Sequence, residues 1–151
     1  MLKIYTDGGC RGNNSNEDNI GGWGAYFIYN DKVATINGAE RNTTNNKMEL
    51  KAVIESLKRI KTTDVDVVVY SDSAYVVNGI TSWIHGWIKK GWINSQKKPV
   101  ENKEMWQELH TLTQRFNNIK FEKVKGHSDN EGNNVADSLV NQAMDDLLKI
   151  S

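Results

Sequence analysis

The chain has 151 residues, with 19 basic and 19 acidic side chains and a formal net charge of zero. This length is typical of one domain, so we predict a single domain spanning residues 1–151. Hydrophobic residues make up 38% of the chain and charged residues 25%, a balance that excludes a disordered protein. Because the net charge is zero, any surface that binds a polyanion must arise from a local excess of positive charge.

The single cysteine excludes an intrachain disulfide and suits a reducing compartment. No apolar stretch reaches the roughly 18 residues of a membrane span, and the amino terminus lacks the apolar segment of a signal peptide. We therefore expect a cytoplasmic protein that makes no membrane contact, and we expect it to be a monomer.

The first three predicted elements are strands. The segment LKIYTD predicts an apolar strand that meets solvent at Asp7, and Gly8 and Gly9 behind it predict a sharp bend. The simple alternative is a turn that happens to carry an aspartate. The segments GGWGAYFIYN and KVATINGAE predict two further strands with a turn at 30–31, so the three strands form an antiparallel meander.

Helices and strands alternate in the rest of the chain, which predicts the α/β class with a mixed sheet. In chain order, the predicted elements are a helix from about Asn45 to Ile60, a buried strand DVDVVVYSD, a helical region broken at Gly79, Gly86 and Gly91, a helix from about Asn102 to Phe116, a strand IKFEKVKGHS and a terminal amphipathic helix NNVADSLVNQAMDDLLKI.

Four acidic residues occupy unusual positions in this pattern. Asp7 and Asp72 each follow an apolar run and a hydroxyl residue, and parallel neighbouring strands would bring them together at one sheet edge. Glu49 shares the apolar stripe of its helix with Val53, and Asp137 lies at the edge of a similar stripe. The alternative is that the two helical acids form salt bridges, although exposed pairs stabilise a helix little.

Carboxylates that converge on one point repel each other unless a cation compensates their charge. Oxygen ligands without a cluster of Cys or His favour Mg²⁺, or Mn²⁺, over zinc. Two such ions about 4 Å apart are typical of sites that cleave phosphodiesters. The sequence therefore predicts a metal site formed by Asp7, Glu49, Asp72 and Asp137.

Five sequence blocks together resemble type 1 ribonuclease H of the bacterial kind. They are YTDGGCRGN, TTNNKMEL, YSDSAYVVNGI, the Trp/Lys segment and VKGHSDNEGNNVAD, in the family's order along nearly the whole chain. The resemblance implies a ribonuclease H-like fold, with a five-stranded mixed sheet flanked by helices. It also implies endonucleolytic cleavage of the RNA strand of an RNA–DNA hybrid, leaving a 5′ phosphate and a 3′ hydroxyl.

The same resemblance implies roles for individual residues. Asp7, Asp72 and Asp137 would hold the ion that activates water, and Asp7, Glu49 and Asp72 the ion that stabilises the departing 3′ oxygen. His127 matches a loop histidine that assists proton transfer or product release, a role suited to its near-neutral pKa. Without the resemblance, His127 would be interpreted as an ordinary surface histidine.

The stretch from Ser73 to Val100 contains no acidic residue and is locally positive. It interleaves four lysines with three tryptophans: Lys89, Lys90, Lys97 and Lys98 with Trp83, Trp87 and Trp92. The simple alternative is that the tryptophans pack on each other while the lysines keep the surface soluble. At about 81–100 the stretch resembles the family's basic handle, which grips the DNA strand of the hybrid and of which Trp83 and Trp87 would form part.

Distinguishing RNA from DNA requires contact with the 2′-hydroxyl, because bases are not read in an A-like groove. By resemblance, the residues that line the RNA strand are Cys10 through its backbone, Asn13, Asn45 and Asn46. Thr44 and Asn102 match residues that hold a DNA phosphate.

Two rival functions remain at this point. A different enzyme of the same superfamily, such as an exonuclease or an integrase, would share clustered acids but differs in acid spacing and lacks the handle. A hybrid-binding module that has lost catalysis would lack one of the acids, whereas all four are present here.

Overall fold

The computed structural model describes residues 1–12, 19–125 and 131–150. The strands are β1 (Leu2–Arg11), β2 (Ile20–Tyr29), β3 (Lys32–Arg41), β4 (Val67–Ser71) and β5 (Ile119–Lys123). The helices are α1 (Asn45–Arg59), α2 (Ala74–Asn78), a π-helical turn (Gly79–Trp83), α3 (Ile84–Lys89), α4 (Lys103–Thr113) and α5 (Glu131–Lys149). Within the described ranges, none of these helices has the length and apolar character needed to span a bilayer.

The five strands form one sheet in the order β3-β2-β1-β4-β5. β1, β2 and β3 pair antiparallel as a meander, whereas β4 pairs parallel with β1 and β5 parallel with β4. This arrangement confirms the predicted mixed sheet. The last β1–β4 register pair is Thr6 with Ser71, so Asp7 and Asp72 are the next residues on two adjacent parallel strands.

The prediction that β1 ends at Asp7 and bends at the following glycines is wrong. β1 continues to Arg11 because Gly8 and Gly9 pair in register with β2. A Cβ added to Gly8 would lie 2.5 Å from the backbone nitrogen of Glu49, so this glycine lets α1 pack directly on the strand. Asp7 is consequently 7% exposed instead of meeting solvent.

The helices cover the two faces of the sheet. α1 packs against β1, β2 and α4, while α5 packs against β1, β2 and β3. Gly8 contacts α1 and Tyr5 contacts Gly132 of α5, so alternate residues of β1 face opposite helices. The main core lies between the sheet and the layer of α1 and α4; its largest fully buried side chains include Trp106, Ile4, Leu50, Leu57, Leu109 and Val69.

The predicted interruption of the helical region at Gly86 is also wrong, because α3 runs through this residue, whereas α2 does end just before Gly79. Helical backbone runs from Ala74 to Lys89, with a π-helical turn in its middle, and it ends before Gly91, whose φ is 74°. A glycine is required at position 79 because the ring of Trp106 occupies the space that a side chain would need. Tertiary packing therefore outweighs the low helix propensity of glycine here.

The last two helices have different limits from those predicted. α4 begins at Lys103, after Asn102 in a left-handed conformation with φ of 59°, and ends at Thr113. α5 begins at Glu131, two residues before the predicted start. Both differences fall within the usual uncertainty of helix ends.

Gly79→Ala should destabilise the protein by about 1–3 kcal/mol, because the new Cβ would lie 2.6 Å from Cζ2 of the fully buried Trp106. The matched control is Gly86→Ala, where a Cβ meets no atom within 4 Å. That control should raise stability by roughly 0.5–1 kcal/mol through helix propensity. Urea unfolding of both variants measures the difference, and two changes of the same sign would contradict this packing role.

Candidate active site

Three carboxylates from three elements meet beside β1, at the point where its neighbour β4 ends. Asp7 comes from β1, Glu49 from the first turns of α1, and Asp72 directly follows β4. One carboxylate oxygen from each lies within 4.8 Å of the other two. The parallel pairing of β1 with β4 positions the two aspartates, and the close approach of α1 at Gly8 adds the glutamate.

Burial and the charges of neighbouring acids disfavour the charged forms of Asp7 and Glu49. The pKa of Asp7 is raised from 3.8 to about 8, first by burial and then by the charge of Asp72. The Gly8 N–H donates to Oδ1 of Asp7 at 2.9 Å, which lowers that pKa in part. Burial, followed by the charges of Asp7 and Asp72, also raises the pKa of Glu49 well above its usual value.

The triad fits a divalent cation. Oε1 of Glu49 is shielded from solvent and has no hydrogen-bond partner among the described residues. A buried polar oxygen without a partner is costly, and a hard cation would satisfy it while neutralising the repelling charges. All the ligand atoms are carboxylate oxygens, the donor set that Mg²⁺ and Mn²⁺ prefer.

The fourth predicted ligand, Asp137, lies beside the triad but does not lie within 4.8 Å of all its members. The carboxylate of Asp137 interacts with Asp7 in two ways, as a hydrogen-bond acceptor for the protonated form and as a negative charge. Both effects raise the pKa of Asp7. α5 holds Asp137 there, and its backbone carbonyl accepts a hydrogen bond from Asn141 at 3.1 Å. Asp137 is therefore close enough to contribute to a cation bound near Asp7, although it is not a member of the triad.

A hollow of about 270 Å³ lies next to the start of α1. Its lining includes four of the predicted substrate-binding residues, and they are Cys10, Thr44, Asn45 and Asn46. Burial, followed by the charge of Glu40, raises the pKa of the Cys10 thiol, so this side chain is not an activated nucleophile. Thr44 caps α1 by accepting a hydrogen bond from the Lys47 N–H at 3.1 Å.

Asn102 lines a second hollow, which adjoins the first at Thr43. Its side-chain amide donates to the hydroxyl of Tyr75 at 3.1 Å, and the indole N–H of Trp106 donates to the same hydroxyl at 3.0 Å. Tyr75 thus fixes Asn102 against the core. Tyr75 is not among the site residues predicted from sequence, because only this tertiary contact distinguishes it from other aromatic residues of the helical region.

The predicted handle, at about 81–100, comprises the last residues of the π-helical turn, α3 and the loop that follows α3. Trp87 lies 6.1 Å from Trp83, 6.1 Å from Trp92 and 5.2 Å from Trp106, measured between ring centroids, so the tryptophans join the handle to the core. The four handle lysines, Lys89, Lys90, Lys97 and Lys98, are exposed. The tryptophans therefore pack on each other while the lysines face outward. This arrangement is compatible with a DNA-binding handle and with the simple alternative of a packed, soluble surface segment.

Two predicted site residues, Asn13 and His127, lie outside the described residues. Their assignments remain predictions from sequence.

Comparison with known proteins gives a consistent result. The RNase H family model matches residues 1–145. A protein called Ribonuclease H from Ruthia magnifica is 46% identical over 144 residues, which cover 95% of this chain and 95% of that protein. A Ribonuclease H from Chromohalobacter salexigens is 49% identical over 146 residues, covering 97% of this chain and 85% of its own length.

Solved structures share the fold. One of them is LC9-RNase H1, described as a type 1 RNase H with the type 2 active-site motif. It superposes on this chain with a TM-score of 0.83 and is 32% identical to it, and the match covers 94% of this chain and 71% of LC9-RNase H1. LC11-RNase H1, solved in complex with an RNA/DNA hybrid, superposes with a TM-score of 0.73 at 26% identity over 98% of this chain and 99% of its own.

Proposed function

Because this chain belongs to the ribonuclease H family, whose enzymes cleave the RNA strand of RNA–DNA hybrids, we propose that it does so as an endonuclease by two-metal-ion catalysis. The products would carry a 5′ phosphate and a 3′ hydroxyl. The observation that carries the proposal is the meeting of Asp7, Glu49 and Asp72 within 4.8 Å, just beyond the last pair of the parallel strands β1 and β4.

In this proposal the four acids form two overlapping sets of metal ligands. Asp7, Asp72 and Asp137 hold one Mg²⁺ and Asp7, Glu49 and Asp72 the other, with Mn²⁺ as a substitute. When bound, such ions supply an activated water for attack on the scissile phosphate and neutralise charge on the leaving 3′ oxygen. The shared ligands Asp7 and Asp72 come from adjacent strands of a rigid sheet, which keeps the site preorganised.

Substrate selection is assigned to the hollow beside α1 and to the handle. The RNA strand and its 2′-hydroxyls are contacted by the backbone of Cys10 and by Asn13, Asn45 and Asn46. Polar groups at close range are required to recognise a 2′-hydroxyl. Thr44 and Asn102, which line the two adjoining hollows, hold a phosphate of the DNA strand. His127 assists proton transfer or product release.

The experiment that tests the proposal uses one end-labelled RNA strand in three forms: alone, paired with RNA and paired with DNA. We expect the RNA strand to be cleaved only when it is paired with DNA, and only with Mg²⁺, not with EDTA. Products that accept radioactive phosphate from a kinase only after phosphatase treatment would carry the expected 5′ phosphate. Tight binding of the hybrid without cleavage in Mg²⁺ or Mn²⁺ would favour the hybrid-binding module instead.

The handle lysines should contribute salt-dependent affinity. For Lys97→Gln combined with Lys98→Gln, we expect weaker hybrid binding and a salt slope (log affinity against log salt) shallower by about 1–2, since each lost phosphate contact removes roughly 0.7–0.9. Fluorescence anisotropy in EDTA, where the RNA strand stays intact, measures this slope. The control pairs Lys32→Gln with Lys120→Gln, two exposed lysines on β3 and β5. Equal slopes for the two variants would contradict a role of the handle in DNA binding.

A further inference from the structure

Asn19, the residue just before β2, is hydrogen-bonded to the loop between β3 and α1. Its side-chain amide donates to the carbonyl oxygen of Thr43 at 2.8 Å, and its Oδ1 accepts from the N–H of Thr43 at 3.0 Å. Its own backbone carbonyl accepts from the N–H of Asn42 at 3.0 Å. Both Asn19 and Thr43 are 6% exposed, so these bonds are shielded from water.

The pair of side-chain bonds requires an amide. The β2–β3 ladder ends at Ile20 and Arg41, and Asn42 then adopts a left-handed conformation with φ of 58° that turns the chain away from the sheet. Beyond this point the amide of Asn19 replaces the missing strand partner of Thr43, because it offers one donor and one acceptor in a plane as a peptide group does. An aspartate offers only acceptors, and an alanine offers neither.

The fastened loop leads directly into predicted substrate-binding residues. Thr43 immediately precedes Thr44, the N-cap of α1, and Asn45 and Asn46 follow in its first turn. Asn19 and Thr43 line the same hollow of about 270 Å³ as those three residues. The position of Thr43 therefore determines where the polar groups of the hollow stand before substrate arrives.

We propose that Asn19 is a positioning residue for substrate binding: its bonds to Thr43 preorganise Thr44, Asn45 and Asn46 to receive the RNA–DNA hybrid. The inference rests on the proposed substrate-binding role of those three residues. Preorganised groups bind more tightly because less ordering is needed on association. The carboxylates of the metal site come from β1, α1 and the end of β4, which Asn19 does not contact through these bonds, so the effect falls on substrate affinity.

The test is steady-state cleavage of the hybrid by Asn19→Ala and Asn19→Asp. We expect KM to rise roughly tenfold in both variants with kcat and Mg²⁺ dependence unchanged. Asn117→Ala is the control, because this exposed asparagine donates to Asp64 on another part of the chain. All assays are run well below the lowest Tm of the set, where a purely structural loss of stability leaves KM unaltered.

Asn46→Ala separates the inference from the proposed function. If Asn46→Ala raises KM while both Asn19 variants keep the wild-type KM, the positioning role is wrong and the substrate site stands. If neither position affects KM, the substrate site is wrong and the inference fails with it. A lower kcat at unchanged KM in the Asn19 variants would also overturn the inference.

Amide hydrogen exchange of the wild-type protein gives a second measurement in case the Asn19 variants do not fold. The Thr43 N–H should exchange as slowly as the paired amides of β3 in the free protein, and binding of the hybrid in EDTA should leave its rate unchanged. Exchange as fast as in an exposed loop, with protection only on hybrid binding, would show that the loop is not preformed and would overturn the proposal.

Discussion

Asp72→Asn is expected to lower kcat for hybrid cleavage by about 10³-fold or more, because the lost carboxylate is a ligand of both ions in the proposed mechanism. An amide keeps the size of the side chain but supplies one neutral oxygen in place of the charged pair. Asp72 directly follows β4 and is one of the three members of the triad, and no other acid among the described residues belongs to that cluster. Hybrid binding should persist, since the handle and the hollow beside α1 are unchanged.

The matched control for this variant is Asp66→Asn, which makes the same chemical change at an exposed residue just before the opposite end of β4. It should retain wild-type kcat. Single-turnover cleavage with Mg²⁺ and with Mn²⁺ measures both variants against the wild type. Cleavage that survives in Asp72→Asn at the wild-type rate would contradict the assignment, and it would point to a contaminating nuclease if Asp7→Asn also remained active.

Asp7→Asn is expected to stabilise the metal-free protein by roughly 2–4 kcal/mol near pH 8 while abolishing cleavage. The native aspartate is 7% exposed and faces the charges of Asp72 and Asp137. An asparagine removes that repulsion and has no charged form to desolvate. The catalytic site is thus expected to reduce stability until a cation binds.

The sign of the pH dependence follows from the raised pKa of Asp7. Its pKa is about 8 in the folded protein against 3.8 for the ordinary side chain. The folded state binds this proton more tightly, so the contribution of Asp7 to stability is fully present below pH 3.8 and is lost as the pH rises to about 8. The stability advantage of Asp7→Asn over the wild type should therefore grow across this interval.

Urea unfolding of both proteins at several pH values in EDTA measures this advantage, with Asp66→Asn as the control for the same chemical change at an exposed residue outside the acid cluster. Added Mg²⁺ should raise the Tm of the wild type and have a smaller effect on Asp7→Asn, since a ligand that binds only the folded state stabilises it. An Asp7→Asn variant that is less stable than the wild type at pH 8 in EDTA would contradict a repulsive acid cluster.

Local patterns in the sequence determined the elements and their order. Apolar residues at helical spacing predict α1, and a continuous apolar run predicts the buried strand β4, because a short window of residues contains either pattern. The matching ends of LKIYTD and VVVYSD indicated that Asp7 and Asp72 would meet, and the apolar stripe of α1 indicated that Glu49 points inward. Their roles as metal ligands remain predictions from the sequence and its family.

Only the tertiary structure determined the structural roles of Gly8, Gly79 and Asn19. Gly8 and Gly79 carry a local signal for a bend, yet Gly8 lies inside β1 and Gly79 inside a helical run. Glycine is required at both positions because Glu49 and Trp106 pack against them. Asn19 looks like an ordinary loop residue, and its partner Thr43 lies 24 positions away. The raised pKa of Asp7 likewise depends on charges from other elements. Long-range packing decides such features, since the atoms responsible are distant in sequence and meet only in the folded chain.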